Sequence, residues 1–192
     1  MAWSKTKQQL ESFLCESLKK RVEYRATAYR YSPDKSGKCY ISVDKKEVFD
    51  MSEQKAFVRW YKSEQEIKND TSIFLPIDEN DMKTVREEGG NKIPEERIQV
   101  IARNKKIADY AKKMMNAQTL LSKSDFYTVA NTFLSSNVNQ CLASEDILLN
   151  ILALVDRRVG KKRLRDMRET ILLKHPIVQY FYKLRCEEEG IL

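Results

Sequence analysis

Arg21-Val22-Glu23-Tyr24-Arg25-Ala26-Thr27-Ala28-Tyr29 is the stretch that decides the fold class. Val22, Tyr24, Ala26 and Ala28 alternate with Arg21, Glu23, Arg25, Thr27 and Tyr29, and that period of two predicts a half-buried strand. Ser32-Pro33-Asp34-Lys35-Ser36-Gly37 supplies turn residues, and Lys38 to Val43 returns as a second strand with Cys39, Ile41 and Val43 on one face. A tight turn at Asp44-Lys45-Lys46 leads to a short third strand, Glu47 to Phe49. The expectation is an antiparallel meander with one face on the core.

Helices flank this sheet. Trp3 to Leu18 places Leu10, Phe13, Leu14 and Leu18 on one helical face. Ser52 to about Ile67 reads as a second helix, with Ala56, Phe57, Trp60, Tyr61 and Ile67 turned inward. Asn69 to Asn91 is the expected break in regular structure: Ile73-Phe74-Leu75-Pro76-Ile77 suits a proline-limited edge strand, and Asp78 to Gly90 is polar and acid-rich. Pro94-Glu95-Glu96 opens a long helix with Ile98, Ile101, Ala108, Ala111, Met114 and Met115 on its apolar side. Ser122-Lys123-Ser124-Asp125 caps another, with Phe126, Val129, Ala130 and Phe133 inward, and Ser135 to Asn139 is a polar connection.

The C-terminal part holds the charge. Ser144-Glu145-Asp146 starts a helix whose apolar set is Ile147, Leu148, Ile151, Leu154 and Val155. At about 100° per residue, that set and the later one (Leu164, Met167, Ile171) point to nearly opposite sides of a continuous helix, which predicts a break at Gly160 and a second helix from about Lys161 to Leu173. Pro176 precedes a last helix with Ile177, Val178, Phe181 and Leu184 on one face, stopped by Gly190.

Between residues 157 and 168 stand seven cations, Arg157, Arg158, Lys161, Lys162, Arg163, Arg165 and Arg168, against one acid, Asp166. That stretch contributes +6 of a whole-chain charge of +7. Lys161 to Arg163 would sit at the positive end of the helix dipole, which disfavours them, so a compensating anion is expected. An external phosphate is one candidate, and Glu187-Glu188-Glu189 is the internal one, making the run a solvated charge cluster. A second candidate surface is the polar side of the sheet, where Arg21, Arg25, Tyr29 and Tyr40 interleave cations with tyrosines as single-stranded nucleic acid requires. The competing reading is a face that is covered or merely solvated.

Composition narrows the classes. A chain of 192 residues with 42% apolar residues, five glycines and four prolines predicts a folded, largely helical single domain, 1–192. Its sub-parts are read as helix, sheet and helix over 1–77, a polar connection over 78–91, and a helical bundle over 92–192. No apolar run is long enough to span a bilayer, and Met1-Ala2-Trp3-Ser4-Lys5 lacks an apolar signal core, so a cytoplasmic protein is expected. Cys15, Cys39, Cys141 and Cys186 lie far apart and read as buried thiols. One histidine, His175, rules out zinc sites built on two histidines. Glu53 and Lys55, following Asp44 and Asp50, faintly suggest a metal-dependent nuclease, but Glu53 is better read as a first-turn acid. No catalytic residue, metal ligand or cofactor is assigned.

Trp3-Ser4-Lys5-x-Lys7, Leu18-Lys19-x-Arg21-Val22-x-Tyr24 and Tyr29-Arg30, with Asp156-Arg157-Arg158-Val159-Gly160-Lys161-Lys162-Arg163-Leu164 and Leu184-Arg185-Cys186-Glu187 at the far end, resemble a family of small bacterial proteins of uncharacterised activity. The resemblance implies a bacterial cytosolic protein and brings no site residue with it. The sequence is therefore read as an α+β protein, a small antiparallel sheet with flanking helices followed by a mainly helical C-terminal bundle. Its expected role is a non-catalytic binding module whose basic surface meets nucleic acid. The alternative is an interaction or regulatory module with an acidic protein partner, and a metal-dependent nuclease is third.

Overall fold

The computed structural model describes residues 3–31, 36–89 and 93–191. The turn read at Ser32 to Lys35 lies outside them, as do Gly90 and Asn91 at the end of the acid-rich segment.

The protein is α+β. Strands β1 (Val22–Ala28), β2 (Gly37–Val43) and β3 (Lys46–Ser52) form a three-stranded antiparallel sheet in the order β1-β2-β3. Tyr24 pairs with Ile41 and Arg25 with Tyr40, so the apolar residues share a face as their alternation requires. The third strand runs beyond its expected end at Phe49, and Met51 joins the core. Between Ile41 and Ser42 the register with β3 slips by one, Ile41 opposing Phe49 and Ser42 opposing Glu47. The β2–β3 turn has Asp44 (φ 51°) and Lys45 (φ 65°) in the left-handed region that two-residue hairpins demand. Neither is glycine, and the conformation is held from outside: Arg21 grips the Asp44 carboxylate through Nε (2.9 Å) and Nη2 (2.5 Å), and the Asp44 N–H donates to the Arg21 carbonyl (2.8 Å).

Contacts divide the chain into two compact units, residues 1–56 with 119–192, and residues 57–118. The first unit contains the sheet, α1 (Trp3–Phe13), α5 (Lys123–Ser135), α6 (Val138–Ala143), α7 (Ile147–Leu154), α8 (Lys161–Asp166) and α9 (Pro176–Glu188). The helix expected to run to Leu18 ends at Phe13 and is followed by a 3-10 turn, Glu16–Leu18. Helix α5 covers β2 and β3 through Phe126, Ala130 and Phe133, and α7 packs between α5 and α9. The chain returns to the sheet where it left it, since Leu121 bridges to Met51 and the Glu53 carboxylate accepts from the Ser124 N–H and hydroxyl. Ser122 caps α5 with a reciprocal pair: its hydroxyl accepts from the Asp125 N–H (3.0 Å), and its own N–H donates to Asp125 Oδ2 (2.9 Å). Ser122→Ala is expected to lower stability by about 1 kcal/mol, read as a shift in the urea midpoint at unchanged slope.

The second unit holds most of α2 (Glu53–Asn69), with α3 (Glu79–Gly89) and α4 (Glu95–Ala117). The expected break in regular structure over 69–91 holds for residues 70–78 and is corrected beyond them. Ile73–Ile77 has no strand partner, and most of the acid-rich segment is helix α3. Its start is a reciprocal cap in which the Asp81 N–H donates to Asp78 Oδ1 and the Asp78 N–H to Asp81 Oδ2, both at 2.9 Å. The helix α2 face is corrected too. Ala56, Trp60, Ser63 and Ile67 fall within about 60° of one another at 100° per residue and are wholly or partly buried, which turns Phe57 and Tyr61 outward to 67% and 56% exposure. On α4 the buried positions are Ile98, Ala102, Ile107, Ala111 and Met115.

Candidate functional site

Gly160 does break the helical run, as the N-cap of α8, with ordinary extended angles (φ −81°, ψ 164°). The helix expected from Lys161 to Leu173 is shorter: α8 ends at Asp166 and a 3-10 turn, Thr170–Leu173, follows. A Cβ at Gly160 would meet nothing within 4 Å, and the poorer N-cap propensity of alanine is offset by the lower entropy it gives the unfolded chain, so Gly160→Ala is expected to change stability by no more than about 0.5 kcal/mol, measured by urea unfolding.

The seven cations are built into the molecule in different ways. Asp156, fully buried after α7, accepts from the Arg158 N–H (2.7 Å) and Nε–H (2.8 Å), with Arg158 Nη2 2.6 Å from Oδ2 as an ion pair. The Arg158 guanidinium also lies over the rings of Phe13 (4.2 Å) and Phe133 (5.6 Å). Lys161 Nζ donates to the Glu189 carbonyl (2.7 Å), with the Glu189 carboxylate at 3.6 Å. Arg157, Lys162, Arg163, Arg165 and Arg168 are exposed and have neither a side-chain hydrogen bond nor an ion pair among the described residues. Leu164, buried between them, anchors the segment by accepting the Tyr182 hydroxyl on its carbonyl (2.8 Å).

Beneath the run lies an arginine the sequence reading did not single out. Arg185, 3% exposed, donates from Nη1 to the Asp156 carbonyl (3.3 Å) and from Nη2 to the Val159 carbonyl (3.0 Å). Its Nε sits 3.2 Å from Glu189 Oε1 as an ion pair, without the angle of a hydrogen bond. The signal that could have found it is the four-residue spacing from Arg185 to Glu189 on a helix whose other face is apolar. The acidic run is thereby shared out. Glu189 serves Lys161 and Arg185, Glu188 pairs with Arg21 (2.5 Å), and Glu187 lies 3.8 Å from Lys183.

Two grooves flank the segment, sharing Ile171. Arg163, Met167 and Lys174 border one of about 270 Å³ with Leu142, and Arg168 borders one of about 550 Å³ with Leu172, Tyr180 and Lys183.

On the sheet, the structure pairs Arg25 with Tyr40 across β1 and β2, while Arg21 and Tyr29 stand just before and just after β1. Asp44, more than Glu188, raises the Arg21 pKa above its ordinary value by hydrogen bonding to the charged form. Arg25 pairs with Glu23, Lys38 with Glu47 (2.5 Å), and Lys55 with Asp50 (2.7 Å), and Lys38 lies 4.8 Å above the Tyr40 ring. The cations of this face are each matched by a carboxylate.

The remaining reactive groups are occupied or buried. No three of the described His, Cys, Asp and Glu side chains are grouped to hold a metal ion. His175 caps α9, its Nδ1 accepting from the Ile177 N–H (3.2 Å). All four cysteines are buried, and burial pushes the Cys39 thiol up to about 12 and raises those of Cys141 and Cys186. Among the described residues no helix is long and apolar enough to cross a membrane.

No curated protein and no solved structure matches the chain. A family model does match, over residues 2–186, which takes in both the Arg21–Asp44 hairpin and the Asp156–Arg185 network: the chain belongs to the SF0329 protein family.

Proposed function

We propose that this chain is a non-catalytic binding module, bacterial and cytoplasmic as its resemblance implies, that meets the nucleic-acid backbone through the segment from Arg157 to Arg168. The observation that carries the reading is a set of five exposed cations in a span of twelve residues, Arg157, Lys162, Arg163, Arg165 and Arg168, that have no hydrogen-bonded or ion-paired partner among the described residues. Cations not committed to a carboxylate are the ones that gain from displacing counterions along a phosphate chain. Arg158 and Lys161, committed to Asp156 and Glu189, are left out of the binding set. The sheet face does not support a stacking platform, because Glu23, Glu47 and Asp50 stand among its cations and would repel phosphate.

The test is binding of the whole chain to short fluorescent duplex DNA, single-stranded DNA and RNA at low salt, beside Lys162→Ala/Arg163→Ala/Arg165→Ala and, as a control, Arg25→Ala. Micromolar or tighter binding, lost in the triple variant and kept in the control, is expected. Absence of binding at low salt, or equal loss in both variants, would overturn the reading.

One observation favours an acidic protein partner as the second reading: the groove beside Arg168 has an aliphatic wall, Ile171 and Leu172, which phosphate chains do not use.

A further inference from the structure

We infer that the groove between the Thr170–Leu173 turn and α9 docks an acidic, leucine-rich helical segment of another protein. This deepens the acidic-partner reading, and it shares only Arg168 with the nucleic-acid surface.

The groove is formed rather than incidental. Its floor is Ile171 and the buried ring of Tyr182, and Leu172, Pro176 and Tyr180 make its sides. The Gln179 amide fixes the two walls together by donating to the Leu172 carbonyl (3.1 Å) and the Lys174 carbonyl (2.8 Å). The Tyr180 ring is set edge-on against Phe181, with centroids 5.3 Å apart. A volume of about 550 Å³ suits apolar side chains entering from one helix face.

The wall is aliphatic and open. Leu172 is 68% exposed and Leu173, next to it, 89%. Two adjacent exposed leucines beside an apolar trough mark a surface that gains free energy when covered. The rim sets the chemistry of the cover. Arg168 and Lys183 are the charged residues lining the groove, with no carboxylate among them; Arg168 has no ion-pair partner among the described residues, and Lys183 has only Glu187 at 3.8 Å on an exposed helix surface. The complementary segment therefore presents leucine-like side chains at three- and four-residue spacing, with carboxylates on the flank that meets Arg168 and Lys183.

A displayed library of random peptides of about four helical turns, selected on the immobilised whole chain, tests this directly. Selection is repeated on Leu172→Ser and on Arg168→Glu, both changes at exposed positions that leave the core untouched. The expected result is enrichment of peptides that combine Asp or Glu with Leu, Ile, Met or Phe at helical spacing. The best of them, synthesised and titrated, should bind wild type at least about tenfold more tightly than either variant. Arg168→Glu should exchange the acidic preference for a basic one. No enrichment, enrichment without acids, or peptides held equally by Leu172→Ser would overturn the proposal. So would concentration-dependent dimerisation of wild type that Leu172→Ser abolishes, since a second copy would then be the occupant. None of these outcomes alters the triple variant's response to nucleic acid, so the two readings fail separately.

Discussion

Arg158→Ala is expected to destabilise the fold by about 3 kcal/mol, while Arg157→Ala, one residue away, stays within about 0.5 kcal/mol. Asp156 is fully buried, and its carboxylate accepts the Arg158 backbone N–H and the guanidinium Nε–H, with Nη2 held beside it as an ion pair. Truncating the side chain leaves a buried charge with one backbone N–H, and it also uncovers the faces of Phe13 and Phe133. The guanidinium is itself about one-third exposed, which puts the loss at the lower end for a broken buried pair. Arg158→Lys keeps the charge but cannot reach the carboxylate with two nitrogens, and it should recover less than half of the loss. Urea unfolding of the three variants checks this. A destabilisation no greater for Arg158→Ala than for Arg157→Ala would show that the Asp156 pair adds nothing.

Nucleic-acid affinity is expected to fall about 10²- to 10³-fold between roughly 50 and 200 mM salt. Five cations are available, and a slope of about −0.9 per neutralised phosphate on a duplex, or about −0.7 on a single strand, turns a fourfold rise in salt into that range. Were all seven basic residues engaged, the fall on a duplex would approach about 10⁴-fold, so the slope itself reports whether Arg158 and Lys161 remain committed to Asp156 and Glu189. The triple variant should retain a slope reduced by about three phosphates on whatever binding remains. A wild-type slope shallower than about −2 would mean that the run does not lie along a phosphate chain.

The fold class was legible because period two and period 3.6 are separate signals, and β1 and β2 carry the first with little ambiguity. The break at Gly160 was legible for a similar reason, since two apolar sets at opposed angles cannot be buried by one straight helix. Helix α3 was not, because its eleven residues bury only Val85 and therefore show hardly any apolar period. Its cap was visible all the same, as Asp78-x-x-Asp81. The candidate site was legible as charge and illegible as partnership. Arg158 reaches Phe13 and Arg21 reaches Glu188, contacts that no local spacing announces. A run of seven cations in sequence became two structural residues and five open ones because burial of Asp156 and the position of Glu189 are decided by tertiary packing.

The segment after α7 closes on the segment after α1: Leu14 bridges to Asp156, the Cys15 N–H donates to the Val155 carbonyl (3.0 Å), and the Arg157 N–H donates to the Phe13 carbonyl (2.8 Å). On a ribosome, the first of these partners waits for the second through about 140 further residues, roughly seven to thirty seconds at ordinary elongation rates. Helix α5, which covers the apolar side of the sheet, also emerges only after residues 57–118 have been made. Until α5 is made, Ile41 and Met51 lack the helix that covers them, whereas the core clusters of the intervening unit draw only on residues of that unit. The sheet is thus made well before α5, the helix that seals its apolar side against β2 and β3.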